Sequence, residues 1–88
     1  MEATQILARF IADTRYRDLP PSLIAECKTA VLDAFAAAFI GSRLPWAQRV
    51  IELVHELGGK AEASVVDQPW LVDVSRAALA NGAMIGAF

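Results

Sequence analysis

The sequence has little charge and few residues of the kinds that form disulfides or bind zinc. Only 20% of its 88 residues are charged, against about 25% in typical soluble proteins. There is one cysteine, Cys27, and one histidine, His55. A single cysteine cannot form an internal disulfide, and no second cysteine or paired histidine has the spacing of a zinc site. The sequence therefore predicts neither a disulfide framework nor a metal centre.

Positive charge and long apolar runs are also scarce. The eight Lys and Arg residues are scattered and the net charge is -2, so a nucleic-acid partner is not expected. The longest uncharged apolar run, residues 34–40, is far shorter than the roughly 20 residues that cross a bilayer, which predicts no membrane association. The first residues lack the basic and apolar regions of a secretory signal, so we expect a cytoplasmic protein.

Apolar residues, in contrast, are abundant. They make up 56% of the chain, compared with about 45–50% in typical domains. A chain of this length is one small domain or part of one, and it buries roughly 60% of its unfolded surface. The excess therefore predicts apolar surface that packs against something outside these residues.

The apolar periodicity predicts a mainly α protein with about four helices and one short extended segment, the amino-terminal part of a larger all-α domain. The first helix covers about residues 4–16 and ends before Pro20. The second covers residues 21–40 and begins at Pro21, which suits the first position of a helix. In the second helix almost every residue from position 30 onward is apolar. Such a helix is expected to be buried on all sides, as the core helix, and to end at Gly41 in a left-handed conformation.

The second half of the chain predicts two more helices around the extended segment. A third helix covers residues 45–57 and ends at Gly58, with one apolar face formed by Trp46, Val50, Leu53, Val54 and Leu57. Residues 63–66 and 70–72 favour extended structure on either side of a turn at residues 67–69. Asp73 is a plausible N-cap for a fourth helix over residues 73–88.

Most polar and aromatic candidates have a structural interpretation. His55 is expected on the solvated face of the third helix, and Cys27 on the apolar stripe of the second, where a thiol packs as a small hydrophobe. Trp46 and Trp70 are expected to pack in the core. Asp33 lies within the apolar run of the second helix, so we expect its carboxylate to have a structural partner, with catalysis and simple exposure as alternatives.

Two glycine-containing pairs have a conformational interpretation. Gly58 and Gly59 follow a helix rather than begin one, which predicts a C-cap and not a phosphate site. Asn81 and Gly82 lie among helix-forming residues, so we interpret them as helix interior. A glycine there predicts either a crossing helix or a pocket wall against the bare backbone. No combination of residues in the chain predicts a catalytic site.

The end of the chain, DVSRAALANGAMIGAF, has none of the usual signals that stop a helix. A helix end normally has a Gly or Asn just beyond its last turn and basic residues within it, because the last carbonyl groups need partners. The final residues instead are uncharged and end at Phe88. We therefore expect residues 1–88 to be the amino-terminal segment of a longer protein.

The order of several short segments resembles the amino-terminal region of the MmgE/PrpD family, the 2-methylcitrate dehydratase family that also contains cis-aconitate decarboxylases and iminodisuccinate epimerases. The resemblance extends over nearly the whole chain. The segments that carry it are Thr4 with Leu7-Ala8, Asp18-Leu19-Pro20, Lys28, Leu32-Asp33, Gly41, Glu56-Leu57-Gly58-Gly59, Glu62-Ala63-Ser64-Val65-Val66 and Ala77-Ala78-Leu79-Ala80-Asn81-Gly82.

This resemblance implies a homodimeric enzyme that needs no metal or cofactor and acts on small di- or tricarboxylates. Its chemistry would be proton removal beside a carboxylate, followed by loss of water, loss of carbon dioxide or reprotonation, and it needs an acid, a base and cationic groups. The family's catalytic groups follow its Asn-Gly pair. The resemblance therefore assigns no catalytic residue to this chain, and gives Asn81 and Gly82 a place in the wall of the substrate pocket.

Two positions depart from the family pattern. Gly86 stands where a His is common, and Ala36 where the second helix commonly has Gly, which indicates a divergent branch. Two functions remain open for the chain: an inactive scaffold segment of a dehydratase-like enzyme, or a non-enzymatic helical module that associates with itself or with a partner through its apolar faces.

Overall fold

The computed structural model describes residues 2–87 and confirms a mainly α fold. The elements are α1 (Ala3–Asp13), a 3-10 helix (Tyr16–Asp18), α2 (Pro21–Gly41), α3 (Pro45–Leu57), β1 (Ala63–Ser64), β2 (Leu71–Val72) and α4 (Val74–Ile85). The fourth helix ends at Ile85 with Gly86 as its C-cap, so the expected continuation without a stop signal is wrong; Phe88, its predicted end, lies outside the described residues. Four helices and one short extended region are therefore present as expected.

Most helix boundaries lie at the residues from which the sequence predicted them. Proline occupies the first position of both α2 and α3, where its missing N–H has no helical partner to lose. Gly58 ends α3 with a φ of 68°, and Gly59 follows with a φ of 96°. Asp73 is the N-cap of α4, as expected. Helix α1 ends earlier than expected, because Thr14 takes an extended conformation before the 3-10 helix.

The core is centred on α4, which packs against α2, α3 and both strands. The buried apolar residues of the core come from α2, α3, β2 and α4, and from Val65 after β1: Ala38, Ala47, Ile51, Val54, Val65, Val72, Ala77, Ala80 and Met84. The expectation that α2 is buried on all sides is wrong for residues 2–87, since only Ala38 and Gly41 of this helix are buried. Apolar composition shows that a helix can be buried, but α4 covers only one side of α2.

Gly41 has a different role from the expected one. It belongs to α2 as its last residue, and the following Ser42 has right-handed helical dihedral angles, so the left-handed cap is wrong. A Cβ atom at position 41 would overlap the backbone carbonyl group of Met84. Glycine is therefore required because α2 and α4 approach closely here.

Helix α3 buries only part of the face expected from its sequence, since Val54 is buried and Val50 packs against the core as expected. Ala47, Ile51 and Val54 are buried, whereas Trp46, Leu53 and Leu57 are about half exposed. Trp46 is thus not a core residue, and its indole N–H instead donates a hydrogen bond to the Ala87 carbonyl group at 2.8 Å. The small side chain of Ala47 is fully buried and lies in the contact with the core.

The two strands form an antiparallel hairpin between α3 and α4. Ala63 pairs with Val72, and Ser64 pairs with Leu71. The turn contains Asp67 in the left-handed region, with a φ of 62°, a conformation that Asp tolerates better than most residues. The Gln68 N–H donates to the Val65 carbonyl group at 3.1 Å within this turn. The hairpin confirms the extended segment and turn predicted from the sequence.

The chain is elongated, and its amino-terminal part contributes little to the core. The radius of gyration is 16.4 Å, compared with about 12 Å for a compact domain of this length. Helix α1 contains no buried residue, and its apolar stripe is exposed. Among residues 2–87, no helix combines the length and the apolar character needed to cross a lipid bilayer.

Candidate functional site

Asn81 joins helix α4 to the hairpin. Its carboxamide oxygen accepts a hydrogen bond from the Val66 backbone N–H at 2.9 Å, and its amide nitrogen donates to the Ser64 carbonyl group at 3.1 Å. An Asn inside a helix needs partners for its side chain, and these two backbone groups supply them. Asn81 therefore fixes the position of the hairpin relative to α4.

A small cavity lies beside Asn81, between α2, α4 and the start of the hairpin turn. Its volume is about 210 Å³, and its other lining residues are apolar: Val31, Ala34, Phe35, Ala38, Val66 and Ile85. None of the lining side chains is charged or titratable. The cavity can therefore hold an apolar group and offers one amide at its edge, but it supplies no group that would bind a carboxylate or transfer a proton.

Gly82 does not lie with its neighbour at this cavity. It is exposed, and a Cβ atom at position 82 would meet nothing within 4 Å. The close approach of a helix or ligand expected from the sequence does not occur at Gly82 among residues 2–87. The structure therefore brings Asn81 to the cavity and leaves Gly82 facing open space.

The first turn of α4 carries the charge pair Asp73 and Arg76. Asp73 caps the helix by accepting from the Arg76 backbone N–H at 3.4 Å, and its other carboxylate oxygen accepts from the Arg76 guanidinium at 3.0 Å. Partial desolvation raises the pKa of Asp73, but the hydrogen bonds and charge of Arg76 outweigh it and lower this pKa from 3.8. Gly59 lies beside this pair with a φ of 96°, a conformation that favours glycine, and a Cβ atom there would also crowd both side chains.

His55 and Trp70 form a stacked pair on the surface. His55 is exposed on α3, as expected, and its ring lies 4.2 Å from the Trp70 ring with an angle of 3° between the ring planes. Trp70 is half-buried and packs against the core, as the sequence predicted. The pair attaches the hairpin to α3, since each ring belongs to one of these elements.

Asp33 and Cys27 are both exposed on α2. The expectation that Cys27 packs in an apolar interior is thus wrong for residues 2–87. Asp33 takes part in no hydrogen bond or ion pair of its side chain with these residues. Its structural partner remains a prediction about the rest of the polypeptide.

Sequence reasoning did not identify the partners of Asn81. Ser64 and Val66 interact with it through backbone groups, so their side chains carried no signal. The signal that was present is the polar amide of Asn81 within an apolar helix, which indicates a nearby backbone partner. Nowhere in residues 2–87 do three or more His, Cys, Asp or Glu side chains group in a way that could hold a metal ion.

Comparison with known proteins gives one family and several relatives. The model of the MmgE/PrpD N-terminal domain matches residues 5–88. The cis-aconitate decarboxylase-like protein oryM of Aspergillus oryzae is 24% identical over 84 residues, which are 96% of this chain and 17% of that protein. The cis-aconitate decarboxylase of Aspergillus terreus is 26% identical over 70 residues, 80% of this chain and 14% of the relative.

The chain thus spans about one sixth of the length of these relatives. No solved structure gives a significant match. The family match covers nearly all of the residues, in agreement with the resemblance carried by the ordered segments of the sequence. The chain belongs to the MmgE/PrpD family, and its residues 5–88 match the N-terminal domain of that family.

Proposed function

We propose that this chain is the amino-terminal scaffold of a lyase or isomerase that acts on small di- or tricarboxylates without a cofactor. The observation that carries the proposal is the family match over residues 5–88. The names of the two relatives support decarboxylation of a tricarboxylate as one member of this class of reactions. The chain covers only 17% of the first relative, so the reaction belongs to the full-length polypeptide.

The cavity beside Asn81 supports a scaffold role rather than a catalytic one. Proton removal beside a carboxylate needs a base, an acid and cationic groups that hold the substrate. The cavity lining is apolar apart from one amide, and both ends of that amide already bind the hairpin backbone. In this proposal Asn81 shapes the pocket wall by holding the hairpin, and Gly82 faces groups supplied by the rest of the polypeptide.

Three further properties belong to the same proposal. The full-length protein is a homodimer, it is located in the cytoplasm, and Asp33 has a structural partner in the complete domain. The small substrate carboxylates bind to cationic residues outside this chain. The exposed apolar surface of α1 and α2 supports the idea that these residues are one part of a larger fold.

The proposal is tested with the full-length polypeptide and with residues 1–88 alone. We expect the full-length protein, treated with a chelator, to release carbon dioxide from cis-aconitate or to remove water from 2-methylcitrate, and residues 1–88 to do neither. The variant Asn81→Ala should lower kcat, while Glu56→Gln on the exposed side of α3 serves as the matched control. A full-length protein that is inactive on all small carboxylates, or an active 88-residue chain, would contradict the proposal.

The second candidate is a non-enzymatic helical module that covers its apolar faces by self-association or with a partner protein. The specific observation in its favour is the exposed apolar stripe of α1, formed by Ile6, Leu7, Phe10 and Ile11. Sedimentation of residues 1–88 separates the two candidates. A stable dimer that melts cooperatively favours the module, whereas a stable monomer at high concentration counts against it.

A further inference from the structure

Helix α2 has a second apolar side that nothing in residues 2–87 covers. At 100° per residue, Ala34, Ala38 and Gly41 point towards α4, and a different set of residues points away from it. We call this set the outer face; it consists of Leu32, Ala36, Phe39 and Ile40. Leu32 is 68% exposed, Ile40 59% and Phe39 47%. These side chains form one continuous stripe on the second half of the helix.

The composition of the outer face indicates a protein partner that is itself apolar. No charged residue occurs from position 34 to the end of α2, so nothing on this stretch favours contact with water. Large exposed apolar patches of this kind mark interaction surfaces in soluble proteins. Ala36 at the centre of the stripe is small, which allows the axis of another helix to come close.

We propose that the outer face of α2 is the docking site for a helix from the part of the same polypeptide that lies beyond residues 1–88. This inference rests on the proposed function. Its argument is the length of the chain outside the structure, since the matched residues are 17% of the first relative and leave most of its chain to cover this face. The large radius of gyration agrees, because the described residues alone do not reach the compactness of a complete domain.

Asp33 adds a second feature to the expected partner. It lies about 80° around the helix from the centre of the outer face, at its edge, and has no partner among residues 2–87. A helix that docks on this face removes water from the carboxylate, which is costly unless a donor replaces that water. The docking helix therefore carries an apolar stripe with one basic or hydrogen-bond-donating residue at its edge, opposite Asp33.

Cysteine labelling of the full-length polypeptide tests the proposal. In a Cys27→Ser background, Ala36→Cys places a thiol at the centre of the outer face, and Glu56→Cys places the control thiol on the exposed side of α3. We expect the thiol at position 36 to react with a maleimide at least about 100-fold more slowly in the native protein than in urea, as for a site that reacts only after local opening. The control thiol should react at nearly the same rate in both conditions.

The alternative occupants give different results. Equal labelling of the two thiols in the native protein would overturn the proposal, and so would protection that disappears on dilution to the monomer, which would identify a second copy as the occupant. Ile40→Cys repeats the test if Ala36→Cys does not fold. Activity is measured on the same preparation: an inactive protein with a protected thiol overturns the proposed function and supports the docking site, so the two failures are distinguishable.

Discussion

Helices α2 and α4 have similar apolar sequences but different environments. In α4, Ala77, Ala80 and Met84 are buried against α2, α3 and the hairpin. In the longer α2, only Ala38 and Gly41 are buried, and its phenylalanines are about half exposed. The difference arises because α4 has neighbours on several sides, whereas α2 has α4 on one side. Apolar composition thus gives the capacity of a helix for burial, and the neighbouring elements determine how much of it is used.

The largest expected change in the free energy of unfolding comes from a core residue of α4, and we compare it with that from an outer-face residue of α2. Met84→Ala should lower the free energy of unfolding by about 2–5 kcal/mol, because it leaves a cavity at a fully buried site. Phe39→Ala should cost less in residues 1–88, where Phe39 is 47% exposed. Urea denaturation measures both.

The same pair of variants in the full-length polypeptide sharpens the comparison. If the outer face is covered there, Phe39→Ala should become nearly as destabilising as Met84→Ala. Similar small effects of Phe39→Ala in both proteins would show that the outer face of α2 is exposed in the full-length polypeptide too. The difference in burial between α2 and α4 would then not depend on the rest of the polypeptide.

The next largest change is expected at a glycine of α2, and a glycine of α4 serves for comparison. Gly41→Ala should lower the free energy of unfolding by about 3 kcal/mol, at the upper end for overpacking, because the new Cβ meets the backbone of Met84, which cannot move aside like a side chain. Gly82→Ala is the matched control, since its Cβ meets open space, and it should stabilise residues 1–88 by about 0.5–1 kcal/mol. Thermal unfolding measures both variants.

The full-length polypeptide gives the opposite expectation for Gly82. There the proposed pocket occupies the space next to this residue, so Gly82→Ala should lower activity. A variant that is both more stable and fully active would contradict the place of Gly82 in the pocket wall.

Much of the fold could be predicted because local signals decide it. Pro21, Pro45, Gly58 and Asp73 all have the positions that the sequence indicated, and α3 has the predicted bounds. The buried face of α3 was predicted only in part: Val50 and Val54 face the core as expected, but large residues were given more weight than Ala47, which is fully buried. A small residue at a helix contact carries little hydrophobic signal, although close packing depends on it.

The candidate site could be predicted less well, since its contacts join distant parts of the chain. The sequence indicated Asn81, but its bonds to Ser64 and Val66 use backbone groups that look the same in every residue. Gly41 was predicted as a cap from its position after a helix, and only the three-dimensional approach of Met84 reveals its other role. Contacts of this kind depend on the arrangement of helices and not on local preference.

A smaller effect tests the connection between α4 and the hairpin. Asn81→Ala should lower the free energy of unfolding by about 2 kcal/mol, because it leaves the Val66 N–H and the Ser64 carbonyl group without their partner. Asn81→Asp is the informative control, since it keeps the acceptor for Val66 and loses the donor to Ser64. We expect an intermediate loss by urea denaturation, and equal stability of all three proteins would show that the hairpin does not depend on this contact.

The smallest effect concerns the first turn of α4 and depends on pH. The pKa of Asp73 is lowered from 3.8 in the folded protein, so its ionised form stabilises the fold above the unfolded pKa, and this contribution is lost as the pH falls through the folded value. Asp73→Ala should therefore be less stable than the wild type near neutral pH, by less than Asn81→Ala, and the difference should shrink below pH 3.8. Asp73→Asn retains a capping oxygen but not the charge, so its stability relative to the wild type isolates the ion pair with Arg76. A difference between Asp73→Ala and the wild type that stays constant through acid pH in thermal unfolding would show that Asp73 stabilises the first turn of α4 without its charge.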